Sequence, residues 1–380
     1  MLHPSSKVLR IAHLTPCITD NGVSTVIRAL TRALEGKGHE VEVLSWQPNS
    51  CSTDGLKIRT FAIKEPFSRP VILGKLIRKI VGPHFFNFLV SFEYCRQLQK
   101  SISLSSYDVV LIHGLSAIPF WRLRDKTIVI AHNTKSKMLL SKRMPLFRPF
   151  QRIYLKKVYQ NRPVISVSKG VRDDLVKAFS LSPEMIGAIY NPFDVKDIKR
   201  LSSEPICDVP EEYVLAVGRP VKAKRFDRLM RVFKESGVSC DLVVMIGHGK
   251  KKKVLNLAKK YGLEDRVYIC GYRENPYPYM AQAKALALTS DYEGLPTVLI
   301  ESLICGTPVV ATDCPSGPSE ILRDMPTCLI PVEDEKGFSA QLRAVLRSPE
   351  KFLIEELSQF SSKVASERYV RFIQKHIKGQ

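Results

Sequence analysis

Between residues 285 and 313 the apolar and polar positions, ALALTSDYEGLPTVLIESLICGTPVVATD, fall into a strand, a loop, a helix and a second strand. Residues 285–288 form an apolar run of the length expected for a strand buried on both faces. The polar loop 289–295 carries Glu293 and Gly294. Pro296 follows where a helix can begin, since a first-turn proline forfeits only an amide that has no intrahelical partner. Val298, Leu299, Leu303 and Ile304 give that helix an apolar face, Gly306 closes it, and 308–312 reads as the second strand. The alternation recurs along the chain. Strand-like runs occupy 9–15, 41–46, 107–114, 127–133, 213–217, 242–246 and 266–272. Helical spacing marks 23–34 (Val23, Val26, Ile27, Leu30, Leu34), 226–233, a Lys-rich stretch ending at Tyr261, and 364–377. Such alternation predicts an α/β protein with parallel, doubly wound sheets. A length of 380 residues predicts two domains, and the polar, proline-containing stretch 194–209 reads as the linker between them.

Open α/β sheets bind ligands at the carboxyl ends of their strands, which is where this pattern puts its polar loops. The helix after Pro296 aims free amides and a partial positive charge at that edge, a setting suited to phosphate. Glu293 lies just before the helix and Glu301 within it, eight positions apart, or ~12 Å of rise on an ideal helix, so the two carboxylates should reach different parts of one elongated ligand. An acid beside phosphate would repel it, so Glu301 suits hydroxyls, as on a ribose. Two glutamates alone also fit solvated helix-end acids. The strand 213–217 ends at Gly218-Arg219, with Lys224 in the same loop; two cations there match the needs of a departing diphosphate. The runs 107–114 and 127–133 lead to His113 and His132, which either face the crevice or cap loops.

The run E-G-L-P-T-V-L-I-E followed by S-L-I-C-G-T-P-V-V-A-T-D resembles the two-glutamate signature of the family-four glycosyltransferases. These are retaining enzymes of the GT-B type: two Rossmann-like domains face across a cleft, and the C-terminal helix returns to the first domain. The resemblance implies domains 1–195, with about 364–380 returning to it, for the acceptor and 196–363 for the nucleotide sugar. It implies that Glu293, with the backbone of Gly294 and Leu295, faces the donor sugar. It places Thr297 and Val298 among the donor-binding positions and puts Glu301 on the ribose. V-G-R-P-V-K-A-K resembles the family's Gly-Arg…Lys motif, so Arg219 and Lys224 are expected to stabilise the diphosphate; Arg225 stands where a glycine is usual. AHNTKSKM resembles the histidine loop, which implies that His132 binds near the reacting sugar. Asn21-Gly22 stands in place of the commoner paired glycine of the first loop, and Tyr272 occupies the position that lies against the nucleobase. VISVSKGVRDDL and MIGAIYNPFD resemble segments at the domain boundary, and DCPSGPSEI resembles members that build bacterial surface glycolipids and polysaccharides. Arg, Lys and a helix terminus carry the charge that a DxD-bound ion carries elsewhere, so neither a metal nor a cofactor is expected. Retention needs no base opposite the leaving group.

Composition narrows the setting. With 44% hydrophobic and 25% charged residues the chain is of ordinary globular make-up. No apolar stretch reaches the ~20 residues needed to span a bilayer. The opening MLHPSSKVLRIAHLTP runs straight toward a strand and does not resemble a signal peptide. Nine scattered cysteines without a CxxC predict reduced thiols in a cytoplasmic protein. The net charge of +21 is uneven: residues 1–195 hold 29 Lys and Arg against 13 Asp and Glu, the remainder 29 against 24. An anionic partner for the first half is implied, either a membrane surface or a nucleic acid. Residues 66–104 mix apolar and basic positions, and 135–157 hold eight cations and no acid among Met, Leu, Phe and Tyr. Both stretches read as membrane-surface elements, or as amphipathic core helices with a solvated basic face.

The expected protein moves a hexose or N-acetylhexosamine from a nucleotide diphosphate sugar, a UDP-sugar, to a membrane-associated glycolipid such as lipopolysaccharide core or a lipid-linked polysaccharide. It is expected at the inner face of the cytoplasmic membrane. A nucleotide-sugar epimerase shares the architecture but has no use for basic amphipathic insertions. A nucleic-acid-binding protein would account for the charge, but no recognition motif is present. Nothing in the pattern assigns the donor sugar, the linkage or an oligomeric state.

Overall fold

The computed structural model describes residues 7–19, 22–49, 55–64, 82–139, 148–247, 251–354 and 356–377. The chain forms two compact units, one of residues 1–192 with 362–380 and the other of 193–361.

The first unit is built on seven parallel strands: β1 (Arg10–Thr15), β2 (Glu40–Ser45), β3 (Ile58–Thr60), β4 (Val109–His113), β5 (Thr127–Ala131), β6 (Val164–Ser166) and β7 (Ile186–Ala188). Their order across the sheet is β3-β2-β1-β4-β5-β6-β7, so the winding direction reverses between β1 and β4. Every residue of β4 and β5 is buried, which is why each reads as an unbroken apolar run. The helix Gly22–Glu35 turns Val26, Ile27, Leu30 and Leu34 inward. The last helix, Ser362–Ile377, belongs to this unit and packs against Gly22–Glu35. Its Phe372 ring lies on Gly187 of β7, where an added Cβ would come within 2.7 Å of the ring.

The second unit has six parallel strands: β8 (Tyr213–Val217), β9 (Asp241–Met245), β10 (Val267–Cys270), β11 (Ala285–Leu288), β12 (Val309–Thr312) and β13 (Leu329–Ile330). The order β10-β9-β8-β11-β12-β13 reverses between β8 and β11. That reversal splays the two following loops apart and opens a crevice at the carboxyl ends of the strands, the ligand position of doubly wound sheets.

Two expectations need correction. The supposed linker 194–209 contains the helix Val195–Ser202, capped by Asp194, whose side chain accepts from the Asp197 amide at 3.0 Å. Ile198 anchors it to the second unit; only one buried residue in eight gave the pattern too little to show. Pro296 is the N-cap residue, and the helix is Thr297–Ile304, so the ~12 Å spacing of ideal helix does not apply to the loop part of the path from Glu293 to Glu301. Within 66–104, residues 66–81 lie outside the described residues; Gly82, at φ 81, caps the helix Pro83–Leu89, and Ser91–Ser101 follows. Within 135–157 the helices Lys135–Leu139 and Arg148–Tyr159 flank residues 140–147, which also lie outside. Among the described residues no helix is long and apolar enough to cross a membrane.

Candidate functional site

The loops after β8 and β11 meet at the reversal point of the second sheet. Lys224 ends a short 3-10 turn, Lys222–Lys224, and its ammonium lies 2.7 Å from Oε1 of Glu293. Glu293 is 8% exposed, and the same oxygen accepts from the Ser290 hydroxyl at 2.6 Å. Gly218, at φ +154, leaves room for the lysine stem: a Cβ there would sit 3.3 Å from Lys224 Cε. The β11 loop is tied down on two sides. Thr289 donates to the carbonyls of Lys224 and Arg225, the Asp291 amide donates to Ala223, and the Glu293 amide reaches Pro315.

Arg225 explains the glycine that family members carry at its position. Its backbone is left-handed, φ 48, a conformation that favours glycine. Here a guanidinium compensates, bridging Asp227 and Asp291 at 3.0 Å each. The buried Arg228 joins the same Asp291 at 2.9 Å and the Thr289 carbonyl. Asp291 and Arg228 were not recognised from sequence, and Arg225 was noted there only for standing where a glycine is usual. The available signal was a cation at a left-handed position two residues before an acid. Arg219 differs from these cations: it is exposed, and no side-chain hydrogen bond or ion pair of it is present among the described residues.

Glu301 lies in the first turns of Thr297–Ile304 and is buried. Burial pushes its carboxyl up to about 7, against a hydrogen bond from Thr297 that acts the other way. Thr297 and Val298 occupy the first two helical positions, whose amides have no intrahelical acceptor. Gly294 and Leu295 are buried in the loop before them. Tyr272 is half-buried after β10, beside an Arg273 held by Asp208 and by Tyr279 at 2.8 Å. The sequence reading also passed over Gly317. At φ +68, an added Cβ would lie 2.5 Å from Pro296 Cδ and 2.8 Å from the Gly294 carbonyl. The 313–321 loop thus packs backbone to backbone on the Glu293 loop. Gly317→Ala is expected to push that loop away, costing ~1–3 kcal/mol of stability. A lowered unfolding midpoint together with weakened donor binding checks this; unchanged donor affinity would mean that the contact does not shape the site.

In the first unit, the structure links three histidines. His13 Nδ1 lies 2.8 Å from His113 Nε2, and His113 Nδ1 lies 2.9 Å from His132 Nε2. The strand register explains the staircase. His13 pairs with Leu111 and His113 with Ile130, so each next histidine stands two residues further along the neighbouring strand, on the same face. Burial lowers His13 and His132 to about 3 and puts His113 well below its ordinary value, so all three are neutral at physiological pH. Lys135, 1% exposed, is lowered by burial to about 8, with Asp174 opposing the shift. His13 escaped the sequence reading because it sits inside the β1 run rather than at its end. Gly22 is the first residue of its helix; a Cβ there meets nothing within 4 Å among the described residues, so packing places no demand for glycine on it.

Two doubly wound units in tandem, with the last helix folded back on the first, define the GT-B class of fold. The chain belongs to the family-four glycosyltransferases: the model described as Glycosyltransferase Family 4 matches residues 20–197, and that described as Glycosyl transferases group 1 matches 197–363. Several of its relatives are named as glycosyltransferases of lipopolysaccharide. It is 35% identical over 184 residues, 48% of this chain and 50% of that protein, to the N-acetylgalactosamine-N,N'-diacetylbacillosaminyl-diphospho-undecaprenol 4-alpha-N-acetylgalactosaminyltransferase of Campylobacter jejuni. It is 29% identical over 170 residues, 42% of this chain and 45% of that protein, to the lipopolysaccharide 1,6-galactosyltransferase of Salmonella typhimurium. The chain thus spans about half the length of the curated relatives it matches. Among solved structures, Anabaena Alr3699/HepE in complex with UDP and glucose shares the fold at a TM-score of 0.65 and 16% identity, covering 98% of this chain and 99% of that one.

Proposed function

We propose that the protein is a retaining glycosyltransferase that moves a hexose or N-acetylhexosamine from a UDP-sugar to a membrane-associated glycolipid, such as lipopolysaccharide core or a lipid-linked polysaccharide. The Lys224–Glu293 pair at the reversal point between β8 and β11 carries the reading, with Glu301 on the helix beside it. In the transfer, the bond from the anomeric carbon to the diphosphate oxygen breaks and its electron pair stays with the diphosphate. The acceptor hydroxyl oxygen bonds to that carbon from the same face, and its proton passes to the departing phosphate oxygen. Negative charge grows on the diphosphate, and Arg219, Lys224 and the amides of Thr297 and Val298 oppose it. Glu293, with Gly294 and Leu295, orients the sugar. Glu301 accepts from the ribose hydroxyls, Tyr272 lies against the base, Gly22 admits the donor closely, and His132 hydrogen-bonds the sugar. With this much fixed positive charge, the proposed reaction includes no divalent ion and no cofactor. The Campylobacter relative's name supports a lipid-linked acceptor, and the Anabaena complex supports a uridine nucleotide. Mass spectrometry of surface glycolipids from cells with and without the gene tests the proposal. A missing hexose or a truncated repeat is expected; an unchanged glycolipid profile would overturn it.

Membrane contact falls to the first unit. The helix Arg148–Tyr159 buries Tyr154, Leu155 and Val158, while Phe150 and Ile153 are 62% and 56% exposed beside the exposed Arg152, Lys156 and Lys157. Apolar side chains flanked by cations suit the inner leaflet of the cytoplasmic membrane. Each cation near an acidic surface contributes ~1 kcal/mol, so replacing Arg152, Lys156 and Lys157 with Ser should weaken binding to acidic vesicles by about 100-fold. Hydrolysis of the donor in solution should continue. Co-sedimentation as tight as the parent's would assign the charge to a phosphorylated acceptor instead.

A further inference from the structure

The geometry points to His13 and His113 as positioning residues that lock His132 in the tautomer carrying its proton on Nδ1. The role for His132 rests on the proposed reading that this ring meets the sugar. A neutral imidazole has one N–H and one lone pair, so each ring in a chain must donate on one side and accept on the other. If His13 donates through Nδ1, His113 accepts at Nε2 and carries its own proton on Nδ1. It then donates to Nε2 of His132, whose proton is left on Nδ1. Reversing the first contact reverses them all and puts every proton on Nε2. A fully bonded neutral chain therefore has two states.

The far end decides between them. His13 Nε2 is buried and has no hydrogen-bond partner among the described residues. In one state that atom is a bare lone pair, in the other an orphaned N–H. Buried N–H groups left without a partner are rarer in folded proteins than under-satisfied acceptors. The chain accordingly settles with all three protons on Nδ1. Burial keeps the rings neutral, which removes any cationic state from the comparison. His132 then offers an N–H through the one ring nitrogen that the chain does not use. It acts as a hydrogen-bond donor toward a sugar oxygen, and it has no lone pair there with which to act as a base. An isolated imidazole in water favours the Nε2–H form, so the chain reverses the ordinary preference.

The test is a long-range proton–nitrogen correlation spectrum of the full-length protein labelled with nitrogen-15 histidine, recorded at neutral pH without substrate. The His132 and His113 signals, assigned by single substitutions, should show a protonated Nδ1 and a bare Nε2. A protonated Nε2 at His132 would overturn the inference. Two variants add a second reading. His13→Leu moves the buried dead end one ring along, to His113 Nε2, whereas His13→Asn can accept through its amide oxygen from an Nε2–H of His113 and so removes the dead end. The Asn variant should gain Nε2–H population at His132 and lose up to about tenfold in kcat with little change in donor KM, the effect of one hydrogen bond. The Leu variant should keep the Nδ1–H signal and lose less. Equal losses with an unchanged tautomer in both would mark His13 as a packing residue only. If the Asn variant does not fold, the parent spectrum decides. Because that spectrum needs no turnover, failure of the transferase reading and failure of the tautomer lock are separately visible.

Discussion

Lys224→Ala lowers turnover by about 10²–10³-fold, the usual cost of removing one preorganised group from the site where charge develops. The lysine is held at the reversal point by Glu293 at 2.7 Å, on a backbone that Gly218 keeps clear. Its charge matters most as the diphosphate departs, so kcat should fall much more than acceptor KM rises. Arg219→Ala should act in the same direction. Lys224→Ala also removes the ammonium 2.7 Å from the buried Glu293, and a fall in unfolding midpoint accompanies the kinetic loss. Steady-state kinetics on the folded variants, with acceptor and donor varied separately, checks this. Activity that survives both substitutions and requires magnesium would point to a metal-dependent reaction.

The second large effect belongs to Glu301. Glu301→Ala should weaken UDP-sugar binding by about 1.5–3 kcal/mol, or roughly ten- to hundred-fold, because the ribose hydroxyls lose a charged acceptor. Burial holds this carboxyl at about 7, so ionisation competes with binding near neutrality. The sign follows from the ionised form being the better acceptor. Donor affinity should rise as pH goes from 6 to 8, with partial proton release on binding, and Glu301→Gln should abolish the slope. Stability runs the other way. A carboxyl raised in the folded state stabilises it fully below its unfolded value, and that contribution is lost as pH rises through about 7. Titration calorimetry in buffers of different ionisation enthalpy reads the affinity and the proton release, and unfolding followed across pH reads the stability. A UDP-sugar is the right probe, because its esterified diphosphate does not titrate in this range. Unchanged affinity in a folded Glu301→Ala variant would refute the ribose assignment.

The sheets were legible because their central strands are buried on both faces: β8 falls on the apolar run 213–217 and β11 on 285–288. The helix Gly22–Glu35 was legible from its 3.6-residue apolar stripe. Val195–Ser202 was not, since Ile198 is its only buried residue and polar helices lack a stripe. Glu293, Lys224, Arg219 and Glu301 were picked out because they follow apolar runs, where pattern and chemistry change together, and of these the structure brings Lys224 and Glu293 into contact. His13 was hidden because it interrupts an apolar run without ending it. Gly317 was hidden because the need for a glycine there comes from Gly294 and Pro296, more than twenty positions away in sequence, and no local pattern encodes that approach.

The most direct test incubates the protein with labelled UDP-sugars and glycolipid extracted from cells lacking the gene, with a chelator present, and follows label into the lipid phase. The account predicts transfer of one hexose or N-acetylhexosamine, undiminished by the chelator and lost with Lys224→Ala. Release of the nucleoside diphosphate without any acceptor, with no label reaching lipid, would contradict it and favour an epimerase of the same architecture.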